Sequence, residues 1–150
     1  MPSSERPEAH AAPNAQTTGV TGGTDFVLFD FRALTAFDER RPHVVTLSDT
    51  GTARLLLVMF RPAQLLPPQL MASEVSIQAL RGRLRLSVGE AGASSTELRA
   101  GRLAQVEAQT PWRLDALTEA VALLGLTPSP GADDLSPELR GETGPLVTRT

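Results

Sequence analysis

The sequence predicts an all-β domain, a sandwich or barrel. Roughly eight or nine short apolar stretches follow one another with turn residues between them, and none has the length of a substantial helix. Leu84, Leu86 and Val88 alternate with Arg83, Arg85 and Ser87, the period of a strand with one wet face. Residues 53–60, ARLLLVMF, are apolar on both faces, as a central strand between two layers is.

In chain order, residues 1–24 are rich in Ser, Thr, Ala, Pro and Gly and almost lack large apolar side chains. Burial would not offset their ordering entropy, so a disordered tail is expected. Residues 25–31, DFVLFDF, read as a first strand with Phe26 and Leu28 on one face and Val27, Phe29 and Phe31 on the other. So apolar a strand needs cover, from the barrel or from a second copy of the chain. One helical turn is expected within residues 32–37, followed by the charged loop 38–42.

Residues 43–48 and 53–60 read as two strands joined at Asp49-Thr50-Gly51, whose residues suit a tight turn. Residues 61–68 cross over. Strands at 75–80 and 83–88 flank a turn at Arg81-Gly82. Further short strands are expected at 96–100, 103–106, 112–117 and 119–126, with Gly101 and Pro111 as breaks between them. From residue 127 the chain returns to Pro, Gly and charge. Ser136-Pro137-Glu138 suits one helical turn, with Ser as cap and Pro at the first position. Otherwise residues 127–150 read as a flexible tail.

Composition excludes several chemistries. There is no cysteine, so disulfides, thiolate catalysis, zinc–cysteine sites and iron–sulfur clusters are closed to this chain. All 14 basic residues are arginine, which closes Schiff-base chemistry on lysine. A net charge of −3 gives no support for a nucleic-acid partner. No segment approaches the roughly 20 apolar residues of a membrane helix, and residues 1–19 carry no apolar signal core. A soluble, cytoplasmic protein is the expectation, with no nucleic-acid or membrane partner.

The stretch Leu65–Gly89, LLPPQLMASEVSIQALRGRLRLSVG, resembles the first motif of the cupin family. There a Pro-led segment carries two metal-binding histidines one residue apart, a carboxylate or amide opens the next strand, and a glycine closes the hairpin. Gly82 stands at the glycine place. Gln69 and Met71 hold the histidine places and Val75 the third ligand place. LRAGRLAQVEAQTPWRLDAL resembles the second motif, with Gly101 opening a strand and Trp112, after Thr110-Pro111, where the last histidine would be. The resemblance implies a cupin-like jelly-roll β-barrel over residues 25–126, between disordered N- and C-terminal tails. It implies a homodimer as well. It also implies that every metal-ligand position has departed, so no metal and no cofactor are expected.

The side chains agree with that last point. A transition-metal site in a barrel needs imidazole or carboxylate groups converging from different strands. The two histidines are His10, in the N-terminal tail, and His43, alone at the start of an early strand. Gln69, Met71, Val75, Ile77 and Trp112 are expected to face the barrel interior. They form either a pocket for a small, largely apolar ligand with Gln69 as its polar handle, or a filled core with Met71 and Trp112 as packing. If buried, the Trp112 indole N–H needs a partner, and Gln69 is the candidate. Arg81, Arg83 and Arg85 form a same-face basic row, a solvated outer face or an acidic partner's footprint. Nothing pairs Glu74, Glu107, Asp115 or His43 as acid–base groups. A metal-free barrel that binds a small molecule or acts as a structural partner follows from these residues. A cupin-type enzyme, an isomerase or dioxygenase relative with an atypical pocket, is the alternative.

Overall fold

A computed structural model describes residues 18–23, 25–141 and 146–148. Contacts divide the chain into two units, residues 1–35 and 36–150.

In the first unit, β1 (Val20–Gly22) pairs antiparallel with β2 (Val27–Phe29), and α1 (Phe31–Leu34) follows. The expected strand over residues 25–31 is therefore cut short. Asp30 is the reason: its carboxylate accepts from the Arg32 backbone N–H at 3.1 Å and caps α1. The expected disorder of residues 1–24 is corrected at Val20–Gly22, which finds its hydrogen-bond partners in β2; residues 1–17 and 24 lie outside the described residues. Phe26 and Leu28 remain 60% and 61% exposed.

The second unit holds β3 (His43–Asp49), β4 (Arg54–Phe60), β5 (Leu65–Gln69), β6 (Glu74–Arg81), β7 (Arg83–Val88), β8 (Ser94–Arg99), β9 (Leu103–Val106), β10 (Trp112–Ala116), β11 (Ala120–Thr127), α2 (Pro137–Arg140) and β12 (Val147–Thr148). They form a six-stranded sheet, β12-β3-β4-β11-β6-β9, and a four-stranded sheet, β5-β10-β7-β8. This is an all-β jelly roll, as the strand patterns predict.

Register builds the interior in layers. Thr46 lies across from Leu56, Leu56 from Leu124, Leu124 from Ile77 and Ile77 from Ala104. In the other sheet Leu66, Leu114 and Leu86 form one row, and Gln69, Trp112 and Val88 another. Alternation along each strand turns these rows inward, where they share one apolar core. β4 is central, between β3 and β11, and buried on both faces, as its doubly apolar sequence predicts.

Gly82 makes the β6–β7 turn possible. Its φ is +76°, and a Cβ there would lie 2.0 Å from the Glu119 carbonyl oxygen. Only glycine lets the two strands turn against the segment leading into β11.

The expected C-terminal tail is also corrected. Leu135 and Leu139 belong to the core, and Val147 is buried while β12 pairs parallel with β3. The Leu146 N–H donates to the Thr46 carbonyl at 2.9 Å. Three apolar side chains suffice because they dock on an edge already formed. They need not build a core of their own.

Candidate functional site

The positions singled out in the sequence lie in the core. Gln69 ends β5 and Trp112 opens β10 directly across from it. Val75 and Ile77 come from β6 in the opposite sheet, and Met71 follows β5, its carbonyl accepting from the Gln109 N–H at 2.9 Å. Met71, Val75, Ile77 and Trp112 belong to one apolar cluster, and none of the five is more than 5% exposed.

The expected bond between Gln69 and Trp112 is absent. Gln69 Nε2 donates to the Pro67 carbonyl at 2.8 Å, closing a local turn, and Trp112 Nε1 has no partner. Thr46 Oγ1, on the inner face of β3, is likewise buried without a partner.

These residues do not fit a metal. One amide, a thioether, a valine and an indole offer neither the charge nor the imidazole that a first-row ion requires. No cluster of three His, Cys, Asp or Glu side chains suited to a metal occurs among the described residues. His10 lies outside the described residues.

A cavity of about 450 Å³ lies elsewhere, lined by none of the five. Both sheets line it: Val44 from β3, Leu66 from β5, the loop carrying Asp38, Arg41 and Pro42, His43 at the start of β3, and Pro137, Glu138 and Gly141 from α2 and its end. Val44 is buried and Leu66 fully so, so the floor is the edge of the core itself.

The rim is charged and held in place. Asp38 accepts from the Arg40 backbone N–H at 2.8 Å, and this bond chiefly keeps its carboxyl below the ordinary carboxylate range. Burial, the next-largest influence, opposes the shift, and the charges of Arg41, His43 and Arg40 add to it. Arg41 Nε lies 4.0 Å from Asp38 Oδ2. The Asp38 carbonyl accepts from Gln64 Nε2 at 2.8 Å, while Gln64 Oε1 accepts from the Arg61 N–H at 2.9 Å. Arg61 in turn binds Glu39 and Glu119. The 38–41 loop is thus tied to the β4–β5 crossover at both backbone and side chain.

The basic row on β6 and β7 is compensated. Arg81 binds Glu119 at 2.6 Å and lies over the Phe37 ring, and Arg83 is 3.6 Å from Glu97. Arg85 stands in register between Glu97 and Asp115. Asp115 is held by Arg113 at 2.8 Å. The expected same-face row is corrected: Arg81 ends β6 in the six-stranded sheet, Arg83 and Arg85 lie on β7 in the four-stranded one, and each stands beside a carboxylate rather than on a basic surface.

Sequence reasoning left His43 isolated and passed over Asp38, Arg41 and Glu138. Glu138 is some hundred residues from Asp38, and only the docking of α2 brings them to one cavity. The signal available was the spacing of Leu135 and Leu139, four apart beside a Ser-Pro helix start.

No protein-family model matches the sequence, and no curated protein matches it. Solved structures do. An RmlC-like cupin protein from Desulfovibrio desulfuricans superposes with a TM-score of 0.59 at 20% identity, over 64% of this chain and 91% of that one. A cupin superfamily protein from Desulfitobacterium hafniense gives 0.63 at 10% identity, over 75% of this chain and 97% of that one. KdgF from a Halomonas species gives 0.58 at 13%, over 68% and 93%.

Proposed function

We propose that this chain, whose fold is the double-stranded β-helix of the cupins, is a metal-free, non-enzymatic small-molecule-binding protein. It acts in the cytoplasm and binds its ligand in the cavity between β3, β5 and α2. One observation carries the reading. The places where the family resemblance puts metal ligands hold Gln69, Met71, Val75 and Trp112, packed into the core, whereas charged groups converge on a cavity outside it. Its volume falls in the range of small-ligand sites, roughly 300–1,000 Å³.

A homodimer belongs to this reading. Two apolar strands suggested it in the sequence. One of those reasons has gone, because Leu57 and Met59 on the outer face of β4 are fully buried within a single chain. The other stands: Phe26 and Leu28 present an uncovered apolar face.

An enzymatic reading has one observation in its favour: an imidazole, His43, and two carboxylates, Asp38 and Glu138, line the same cavity. An isomerase working by proton transfer would use such groups. A metal-dependent dioxygenase finds no donor set among the described residues.

Two measurements test the proposal. The protein expressed with added iron, manganese, nickel and zinc should purify without stoichiometric metal; one equivalent lost on Gln69→Ala would overturn the metal-free reading. A library of neutral and charged fragments, followed by amide NMR, should shift the resonances of His43, Val44 and Gly141. Fragments that shift only Met71, Ile77 and Trp112 would return the ligand to the barrel core.

A further inference from the structure

We propose that the cavity takes a zwitterion with an aliphatic body, of the α-amino acid class. Both head-group charges are read by Asp38 and Arg41, and the body lies on Val44. The proposal rests on the reading of this cavity as the ligand site and names the ligand's chemical class.

The charges at the rim come as an opposed pair. Arg41 Nε and Asp38 Oδ2 are 4.0 Å apart. An ammonium and a carboxylate on one carbon match that spacing, so the two dipoles lie antiparallel and each charge meets its opposite. Glu138 adds a second anion from α2, and His43 adds an imidazole.

A ligand with a single charge does worse. An anion that reaches Arg41 also meets Asp38 and Glu138. A cation that reaches Asp38 lies beside the Arg41 guanidinium. Excluding the wrong charge is as much a part of specificity as binding the right one.

Pre-organisation supports the same conclusion. Asp38 is fixed by the Arg40 N–H at its side chain and by Gln64 at its carbonyl. It therefore presents its carboxylate without ordering a loop at the moment of binding. Beneath this rim Pro42, Val44 and Pro137 offer apolar surface, with Leu66 sealed below. A charged rim over an apolar floor fits a molecule whose head and body differ in the same way.

The test uses the full chain at neutral pH and three probes: leucine, isoamylamine, which lacks its carboxylate, and isocaproate, which lacks its ammonium. Calorimetry and amide NMR should show leucine binding at least about tenfold more tightly than either analogue. Asp38→Asn keeps the acceptor for the Arg40 N–H and removes only the charge. It and Arg41→Gln should each weaken leucine by about tenfold, with only a small fall in melting temperature because the pair is exposed. If an analogue binds the cavity as tightly as leucine, or either variant binds leucine normally, the zwitterion assignment is wrong and the cavity reading stands. If none of the three probes binds while uncharged fragments do, the class again falls alone. If neither the probes nor any fragment shifts His43 or Val44, both fall together.

Discussion

Trp112 stands directly across the strand pair from Gln69, and the two do not bond: the Gln69 amide N–H₂ donates to Pro67, and the indole N–H has no partner. A buried donor left without an acceptor is a local energetic cost of about 1–3 kcal/mol. The packing of a large ring into the apolar core offsets it. Trp112 is the only tryptophan and is 1% exposed. Its emission should be blue-shifted and resist soluble quenchers. Red-shifted, freely quenched emission would mean that β10 does not begin at Trp112 and that the second-motif resemblance is misplaced.

Thr46 offers a cleaner measure of the same kind of cost. Its hydroxyl faces the core across from Leu56 and finds no partner. Thr46→Val keeps the branched shape that suits a strand and replaces the orphan oxygen by a methyl. Chemical denaturation should give a variant equal to the parent or more stable by about 1 kcal/mol. A loss of that size would show that the hydroxyl is hydrogen-bonded in solution.

The C-terminal segment should matter to stability, contrary to its reading as a tail. Leu139 is fully buried in the core, and Leu135, in the extended segment before α2, is buried with it. Leu139→Ala should cost about 2–5 kcal/mol, and removing residues 130–150 should lower the melting temperature sharply. An unchanged midpoint in both would place α2 off the barrel and remove one wall of the cavity.

How far the sequence could be read follows from where each signal is local. The alternation of Leu84, Leu86 and Val88 with Arg83, Arg85 and Ser87 specifies both a strand and its inward face. Gly51 and Gly82 mark turns because each needs a positive φ, +82° and +76°. The motif resemblance placed Gln69 and Trp112 in one barrel, and they are neighbours. The cavity was not legible in this way. Its rim comes from a loop near residue 40 and a helix near residue 138, and no periodicity joins them. The tail misled for a related reason. Low apolar content argues against independent folding, but Leu135, Leu139 and Val147 are added to an existing sheet edge.

The dimer is decided by mass. If Phe26 and Leu28 are covered by a second copy, light scattering at micromolar concentration gives twice the chain mass of 16.0 kDa. Phe26→Ser with Leu28→Ser then returns it to one chain. A parent already at 16.0 kDa would remove the dimer from the proposed function.

The hairpin between β3 and β4 should make stability depend on acid. Asp49 accepts from the Gly51 N–H at 3.0 Å and binds Arg54 at 2.7 Å, with both side chains largely buried. Burial is the largest influence on its carboxyl and pushes the pKa up. The Gly51 N–H, the Ser129 hydroxyl and Arg54 together outweigh it and hold the pKa below the ordinary 3.8. A group whose folded pKa is depressed stabilises the fold fully above its unfolded value. That contribution is lost as pH falls through the folded one. Asp49→Asn retains an acceptor for Gly51 and gives up the charge. At pH 7 the variant should be less stable by about 1 kcal/mol. The gap should hold down to about pH 5 and close below the unfolded value of 3.8 as the parent's carboxylate takes up its proton. Urea midpoints for parent and variant at a series of pH values measure this. A gap that widens in acid would mean that the carboxylate is strained rather than supported by Arg54 and the turn.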